Sequence, residues 1–503
     1  MSGKPKKLLL LVIAVALLTG ASFVQSSLNH DRDVLGLTRV QPLENAPPVL
    51  AFTTVALGGF RGLISNALWI RASDLQEQDK FFEMAQLSDW ITKLEPHFVQ
   101  VWAHEAWNMA YNISVKFKDY PDRWRWVKRG FELLRDEGLR YNPNETLIFR
   151  ELGWIFQHKM GANLDDANMY YKQEWANEMA GVFGKKKPDL EELIHPQTED
   201  ARARARLLRE KYKMDPEFMK EVDERYGPLE WRLPEAHAIY WAALGLEKAK
   251  ENPTKISKDD LITLRRVVYH SMQLSFQRGK LVSNPFVKAF EFGPNLEIIP
   301  KVSAAYEQAA EEDEKFHDHI LRAHRNFLRD AVYFLYEYNR LADAAYWYKY
   351  LSKKYPDKLL LDGKTNSLPA SLTMEEYAIE RVKEDFGERG GGQTRAQAAI
   401  EGLLTQSYRS LVLDEDARAA GFKLLASQLH ESYQSTVPKE GQARISLPPL
   451  KDTDRVILAR LLDPRTGMPS EERAVLRSKL GMRPETPAPA TGTNAPPPKV
   501  SSR

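Results

Sequence analysis

The spacing of apolar residues predicts a protein built almost wholly of α-helices. From Leu63 to about Leu480, apolar residues recur every three or four positions with charged residues between them, a pattern typical of helices that bury one face. The alternation of apolar and polar residues that marks strands is almost absent between the turn signals. We therefore expect an all-α fold.

One apolar run, Leu8–Val24, is long and uncharged, and it follows three lysines near the N-terminus. A basic flank stays on the cytoplasmic side of a membrane, so the residues after the run are exported. Two interpretations stay open: a signal peptide cut near the small residues Thr19–Ala21, or a signal anchor retained as a membrane helix. The run of leucines and the weak cleavage site favour the anchor. We predict a single-pass protein of the cytoplasmic membrane with most of its chain on the periplasmic side.

Degenerate repeats occur within the helical part. The pattern W-x2-L-G-x2-Y is matched in "FRELGWIF" by Phe149, Leu152, Gly153 and Phe156. Its second half, A-x3-F followed by a proline, is matched at Ala344, Tyr348 and Pro356, and in part at Ala167 and Tyr171. Pro96 and Pro143 close two earlier units. A proline ends the second helix of a unit, and the small residue lets two helices approach. We therefore expect Gly153 at the close crossing between the first and second helices of the third unit.

These residues resemble the tetratricopeptide-repeat (TPR) family, which implies an α-solenoid of helical hairpins. The resemblance covers roughly Leu63–Tyr171 and Ala331–Pro356 and is weaker over Trp231–Glu251. It departs from the family in two places: the second unit contains the insertion "VKFKDYPDRWRW", and a charged stretch separates the two groups of units. The front end is also similar to bacterial membrane-anchored repeat proteins whose activity is uncharacterised.

The composition shifts divide the chain into segments. We assign residues 1–30 to a basic tip and membrane helix, 31–62 to a juxtamembrane connector, 63–180 to the first group of TPR-like repeats, 181–229 to a charged linker or helical insertion, 230–356 to the second group, 357–482 to C-terminal helices, and 483–503 to a disordered tail rich in Pro, Ala and Thr. A second apolar stretch, Val49–Phe60, is too short to span a bilayer and is expected to be buried or to lie against the membrane.

Charge and cysteine content remove several classes of function. The chain has 503 residues and a formal net charge of +2, which argues against a nucleic-acid partner because phosphate binding needs a clear basic excess. It has no cysteine, so disulfides, thiolate nucleophiles and cysteine-zinc sites are excluded.

The sequence "HEAWN" at residues 104–108 approaches the zinc-protease signature H-E-x-x-H. Asn108 replaces the second histidine, and asparagine is a poor zinc ligand. We interpret the segment as a packed repeat helix in which Trp102 and Ala106 occupy the large and small positions. His237 is expected to be a structural histidine, and His317, His319 and His324 are expected on a solvated charged face. We predict no catalytic residue, no metal site and no cofactor.

In the TPR family, partners lie along a groove lined by the first helix of each unit. Carried over to this chain, the groove residues are Asn66, Trp69, Ser73, Gln76, Trp107, Tyr111, Arg150, Trp154, Gln157 and His158. Aromatic residues beside amides and an arginine are typical of a peptide-binding groove. The alternative is that these side chains pack against another part of the chain, such as the segment after Lys187.

The expected function is binding or scaffolding of a protein or peptide partner at the outer face of the cytoplasmic membrane, without catalysis. A cell-envelope enzyme that acts on a glycan or peptide polymer, with the repeats holding substrate, is the alternative. Paired carboxylates on facing helices would be its signature, but nothing in the sequence selects a pair. A purely structural spacer is a third possibility.

Overall fold

The computed structural model describes residues 3–34, 61–184, 188–251, 258–284, 286, 289–362, 364–385, 392–436 and 446–484. These residues are almost entirely helical, which confirms the predicted all-α class. Within these ranges, strand is limited to one antiparallel hairpin. The stretch Val49–Phe60 and most of the C-terminal tail lie outside the described residues.

The chain divides into two compact units, Met1–Val101 and Trp102–Arg503. The first unit contains α1 (Gly3–Val34), α2 (Arg61–Glu77) and α3 (Phe81–Leu94). Helices α2 and α3 pack as a hairpin whose short turn places Asp79 at a φ of 58°. Their apolar faces are buried, with Leu75 on α2 and Met84 and Ile91 on α3.

In α1, the described side chains from Val12 to Leu28 are exposed. The side chains of Leu8 to Leu11, at the start of the predicted anchor, fall outside the described residues. Among the described residues, no helix is both long enough and apolar enough to cross a membrane.

The second unit begins within α4 and continues to the last described helix. Its helices are α4 (Val99–Trp107), α5 (Tyr120–Glu132), α6 (Thr146–Trp154), α7 (Asn168–Phe183), α8 (Leu190–Ile194), α9 (Glu199–Glu210), α10 (Pro216–Tyr226), α11 (Pro234–Glu251), α12 (Lys258–Arg278), α13 (Ile299–Glu312), α14 (His317–Glu337), α15 (Leu341–Lys354), α16 (Met374–Asp385), α17 (Gly392–Val412), α18 (Asp416–Thr436), α19 (Leu450–Leu461) and α20 (Ser470–Lys479). The hairpin of β1 (Lys280–Asn284) and β2 (Ala289–Gly293) lies between α12 and α13, with Val282 paired to Glu291.

Three neighbouring helices change from α to π geometry before they end. After α4, residues Asn108–Ile113 form a π segment, followed by a 3-10 turn at Ser114–Lys116. The π segment Leu133–Gly138 follows α5, which closes with a last α turn, and the π segment Ile155–Gly161 follows α6. Extended π geometry is uncommon and is often found at functional sites. Here it determines which way the residues after each α segment face.

Small residues allow the helices to approach closely at the crossings. A Cβ atom on Gly130 of α5 would lie 2.8 Å from the Ala106 carbonyl oxygen of α4. On Gly153 of α6, it would lie 2.9 Å from Cγ1 of Val267 on α12 and 3.3 Å from the Ala238 carbonyl oxygen on α11. The close crossing expected at Gly153 is therefore present, but its partners are α11 and α12.

Three short helices, α8, α9 and α10, are inserted in the chain between helices that contact each other directly. Helix α6 packs on both α11 and α12, although α7, α8, α9 and α10 lie between α6 and α11 in the chain. Further on, α12 packs on α13, α13 on α14, and α14 on α15, while α17 packs on α18 and α19. Residues 190–226 thus form a helical insertion, and the helices on either side of it remain in direct contact.

Candidate functional site

A cleft of about 400 Å³ opens between α6 and α12, beside the end of α4. Its lining residues are Trp107, Arg150, Glu151, Trp154, Gln157, Thr263, Arg266, Val267 and His270. The two tryptophans are the large apolar side chains of the wall, and they remain 38% and 36% exposed respectively. Most other tryptophans of this unit, among them Trp102 and Trp175, are fully buried in the core. The cleft therefore leaves exposed the residue type that the fold otherwise buries.

Each cleft tryptophan is the last α-helical residue before a π segment and stacks on a ring four residues further along. Trp107 stacks on Tyr111 with ring centroids 5.5 Å apart, and Trp154 stacks on His158 at 4.5 Å with an angle of 12° between the rings. Tyr111 and His158 stand 47 residues apart, and the tryptophans keep the same spacing, as do Pro96 and Pro143. The two tryptophan–ring pairs thus recur at the same interval along the chain as the two prolines.

A hydrogen bond joins the two stacked pairs behind the cleft. The hydroxyl of Tyr111 and Nδ1 of His158 are 3.1 Å apart. Burial raises the pKa of Tyr111, and burial together with the neighbouring Lys159 lowers the pKa of His158. At neutral pH the tyrosine is therefore protonated and the imidazole is uncharged. This bond holds both rings against the tryptophans in front of them.

The charged groups of the cleft are largely compensated. Nε of Arg150 donates to Oε1 of Glu151 at 3.0 Å. Nε of Arg266 donates to Oδ2 of Asp313 at 3.2 Å, and its guanidinium lies 4.5 Å from the centre of the Phe316 ring. Each arginine thus has a carboxylate partner, and the cleft carries little net charge.

Gln157 is the one polar side chain of the wall that is nearly buried, at 6% exposed. Its amide oxygen is buried and has no hydrogen-bond partner among the residues that the structure describes. An unpaired polar atom in the interior costs about 1–3 kcal/mol, so such an atom beside a cleft calls for an explanation.

The predicted groove residues fall into three sets. Trp107, Arg150, Trp154 and Gln157 line the cleft, and Tyr111 and His158 lie directly behind its tryptophans. The third set, which belongs to the first compact unit, consists of Asn66, Trp69, Ser73 and Gln76. There, Trp69 contacts Phe98 with centroids 6.0 Å apart, and the Ser73 hydroxyl donates to the Trp69 carbonyl at 3.1 Å.

The opposite wall of the cleft comes from α12, which the sequence analysis did not identify. Thr263, Arg266, Val267 and His270 lie on one face of that helix because they are spaced three and four residues apart. The local pattern marks α12 as an amphipathic helix, but it does not indicate which distant helix it meets. Glu151 was also missed, although its position beside Arg150 suggests an ion pair.

The HEAWN segment lies on a packed helix. Trp102 and Ala106 are buried, as their repeat positions predict, and Asn108 and Glu105 are buried as well. Burial lowers the pKa of His104. Across the described ranges, no three His, Cys, Asp or Glu side chains are grouped to hold a metal ion.

His237 is a buried structural histidine, as expected. Its Nε2 donates to the Trp231 carbonyl oxygen at 2.8 Å, and burial lowers its pKa to about 4. A neutral imidazole with one hydrogen bond is therefore part of the core.

The expectation for His324 was wrong. It is buried, and its ring nitrogens lie 2.9 Å from the Ser303 hydroxyl and 2.9 Å from the Tyr355 hydroxyl. The reason is that α14 turns this residue towards α13 and the end of α15, whereas His317 and His319 are exposed. A serine and a histidine in hydrogen-bond contact can form a nucleophile and base, but both are buried here and neither lines the cleft.

A larger and more polar cleft, of about 580 Å³, lies among α17, α18, α19, the start of α20 and β2. Three arginines and two glutamates line it, and one arginine, Arg418, is paired with Glu337 at 3.2 Å. It has no aromatic side chain in its lining, and its mixed charges do not select a ligand.

Comparison of the chain with protein-family models, with curated proteins and with solved structures gave no significant match.

Proposed function

We propose that this protein binds a segment of another protein in the Trp107–Trp154 cleft while α1 attaches it to the cytoplasmic membrane. The bulk of the chain then lies on the periplasmic side, and no catalytic step is part of the proposal. Lys4, Lys6 and Lys7 lie in the first turns of α1, before its apolar run begins at Leu8, and agree with this orientation under the positive-inside rule.

The observation that carries the proposal is the pair of half-exposed tryptophans, each backed by a stacked ring. Tryptophan, tyrosine and arginine are the residues that most often dominate binding energy at protein interfaces. A volume of 400 Å³ lies near the lower end for ligand pockets and suits one or two side chains of a bound segment. The stacking on Tyr111 and His158 fixes the indoles before a partner arrives, which reduces the entropy lost on binding.

A TPR-like array is the architecture that we propose for the helices around the cleft. Two observations support it: the close approach of Gly130 to Ala106, and the direct packing of α6 on α11 across the helical insertion. The 47-residue spacing is longer than the TPR period of about 34 residues, and the insertion in the second unit lengthens that unit. In such arrays a partner lies where consecutive units meet, and the cleft is formed between the helices of different units.

Membrane attachment is supported by the surface of α1. Its described side chains are exposed along the whole length from Val12 to Leu28, and they include Leu17 and Leu18 at 69% and 72%. A helix that exposes aliphatic side chains on all sides has a lower free energy in lipid than in water.

Site-specific photo-crosslinking in cells tests the binding function. A photoreactive phenylalanine analogue replaces Thr263, which lines the cleft on α12 and leaves both tryptophans in place. In the control it replaces Leu164, which is 72% exposed and does not line the cleft. We expect the cleft position to give a discrete adduct with another protein and the Leu164 position to give none of that adduct. Trp107→Ala in the same chain should reduce the adduct, whereas Trp90→Ala, which removes an exposed tryptophan of α3, should leave it unchanged.

The same adduct from both labelled positions would show contact without a specific site. An absence of any adduct at Thr263, in a chain that is folded and membrane-bound, would contradict the proposal.

A further inference from the structure

We propose that the segment bound in this cleft inserts an uncharged apolar side chain between the two tryptophans and donates a backbone N–H to the amide oxygen of Gln157. The inference rests on the proposed function, because it names the chemistry of the partner at that same site. It makes Gln157 a specificity-determining residue.

The position of Gln157 leads to the hydrogen-bond part of the proposal. The residue lines the cleft, is more than nine-tenths buried, and keeps an unpaired oxygen inside the wall. A buried acceptor without a partner destabilises a fold, so its presence at a binding surface indicates that a partner satisfies it. Because the oxygen is buried, the terminal amide has to turn about its last side-chain bond to present it to a bound segment.

The walls determine the side chain. Trp107, Trp154 and Val267 provide the apolar part of the lining. The arginines at the rim, Arg150 and Arg266, are already paired with carboxylates, so an acidic side chain would have to displace Glu151 or Asp313. A basic side chain would meet the two guanidinium groups directly. An uncharged aliphatic or aromatic side chain fits without either penalty, and binding should depend only weakly on salt.

A peptide is favoured over a sugar because it supplies both features together. Each residue of an extended peptide places an N–H donor next to a side chain, and this matches an amide acceptor beside an apolar recess. A sugar ring offers hydroxyls and could stack on a tryptophan, so an oligosaccharide is the competing occupant in the test.

The substitution Gln157→Met separates a binding role from a structural one. Methionine has a similar length and no hydrogen-bonding amide, so it removes the buried unpaired oxygen without opening a large void. If the oxygen accepts a hydrogen bond from the bound segment, this variant should melt at the same or a higher temperature and yet bind that segment more weakly. If the oxygen serves the fold, the variant should melt lower and bind unchanged. Gln308→Met on α13 is the control, because Gln308 is exposed and outside the cleft.

The experiment uses the full chain in detergent micelles and a phage-displayed library of random heptapeptides. Peptides are selected on the wild-type protein and depleted on Trp154→Ala, and the best is synthesised together with analogues in which one backbone amide at a time becomes an ester. An ester oxygen cannot donate, so one analogue should bind the wild type about 3- to 10-fold more weakly, the loss typical of one neutral hydrogen bond. That analogue and its parent should bind Gln157→Met equally, and the selected peptides should carry an uncharged bulky residue at a constant position.

Selected peptides that bind through Trp154 but show no coupling between an ester and Gln157→Met would overturn this inference and leave the proposed function intact. Selection of charged residues at the constant position would overturn it in the same way. A third outcome is that no selected peptide depends on Trp154 and that the same protein binds a chitin or peptidoglycan oligosaccharide. This outcome would overturn both the inference about Gln157 and the proposed function.

Discussion

At the scale of single residues, the cleft depends on a glycine that does not line it. Gly153 precedes Trp154 and lets α6 approach Val267 of α12, the residue that forms the apolar part of the facing wall. The sequence motif predicts a small residue here, and it also predicts Trp107, Arg150, Trp154 and Gln157 as groove residues. It could not predict the unpaired state of Gln157, which depends on side chains that approach from elsewhere in the fold.

The substitution Gly153→Leu should destabilise the protein by about 1–3 kcal/mol because a larger side chain overpacks the crossing. The first atom of that side chain would already lie 2.9 Å from Val267. The matched control is Gly181→Leu in α7, where a Cβ atom meets nothing within 4 Å. There leucine should stabilise by up to about 1 kcal/mol through helix propensity. Thermal unfolding of the full chain in detergent measures both, and a raised melting temperature for Gly153→Leu would contradict the crossing.

Buried His237 should make the protein less stable in mild acid. Its pKa is about 4 in the folded state, against about 6.5 in an unfolded chain. The unfolded chain takes up a proton first, so the stability that neutral His237 provides is complete above about pH 6.5 and is lost as the pH falls towards 4. His324, whose pKa burial also lowers to about 4, acts in the same direction.

Melting temperatures at about pH 7 and about pH 5 check this expectation. His237→Gln should be less stable at neutral pH but should lose less on acidification than the wild type. His317→Gln, on an exposed face, should keep the wild-type pH dependence. An equal loss in all three proteins would show that His237 does not contribute.

At the scale of elements, the helices were predictable and several of their contacts were not. Apolar residues that recur every three or four positions mark helices such as α6 and α12. This pattern does not show that α6 packs on α12, which lies more than a hundred residues further along the chain. The π segments have no signal that we recognise in the sequence, and they turn Tyr111 and His158 into stacking partners. The β hairpin at residues 280–293 was not anticipated either.

A buried ion pair connects α7 to the first turn of α11. Nζ of Lys172 lies 3.6 Å from Oε1 of Glu235, and both side chains are 1% exposed. Burial lowers the pKa of Lys172, and the nearby carboxylate opposes that shift. Removal of either partner leaves the other charge buried, so Lys172→Met and Glu235→Leu should each cost about 3–5 kcal/mol.

The double variant should be more stable than either single one, because no uncompensated charge remains. Chemical unfolding of the wild type, the two single variants and the double variant gives the coupling free energy between Lys172 and Glu235. The exposed pair Lys248–Glu251 is the reference, where Lys248→Met should cost less than about 1 kcal/mol. Strict additivity of the two buried substitutions would show that the groups do not interact.

At the scale of the whole molecule, the sequence predicts a helical chain that begins with an apolar segment. The structure shows in addition that α6 and α11, on either side of residues 190–226, are in direct contact. An insertion of three helices reads in sequence as a break between two groups of units. Because α11 packs directly on α6, the insertion does not interrupt the series. Sequence order alone could not show this, since the contact joins residues on both sides of the insertion.

Two arginines in α1 should release the protein from the membrane. Leu17→Arg together with Leu18→Arg places two charges near the middle of the apolar run, at about 2.5–3.5 kcal/mol each on an insertion scale. We expect the wild type to stay in the pellet after alkaline carbonate extraction and the double variant to move to the supernatant. Leu28→Arg, beyond the end of the run, should behave as the wild type, and retention of the double variant would contradict the anchor.

The separation of the two cleft walls along the chain has a consequence for synthesis. Trp107 and Trp154 leave the ribosome well before Val267 of α12. At about 5–20 residues per second, the interval from Trp154 to Val267 is on the order of 10 s. During that time α6 has neither the helix that covers Gly153 nor a completed recess, and its indoles are open to any apolar surface. The newborn chain therefore passes through a stage in which its future binding surface is exposed and prone to aggregation.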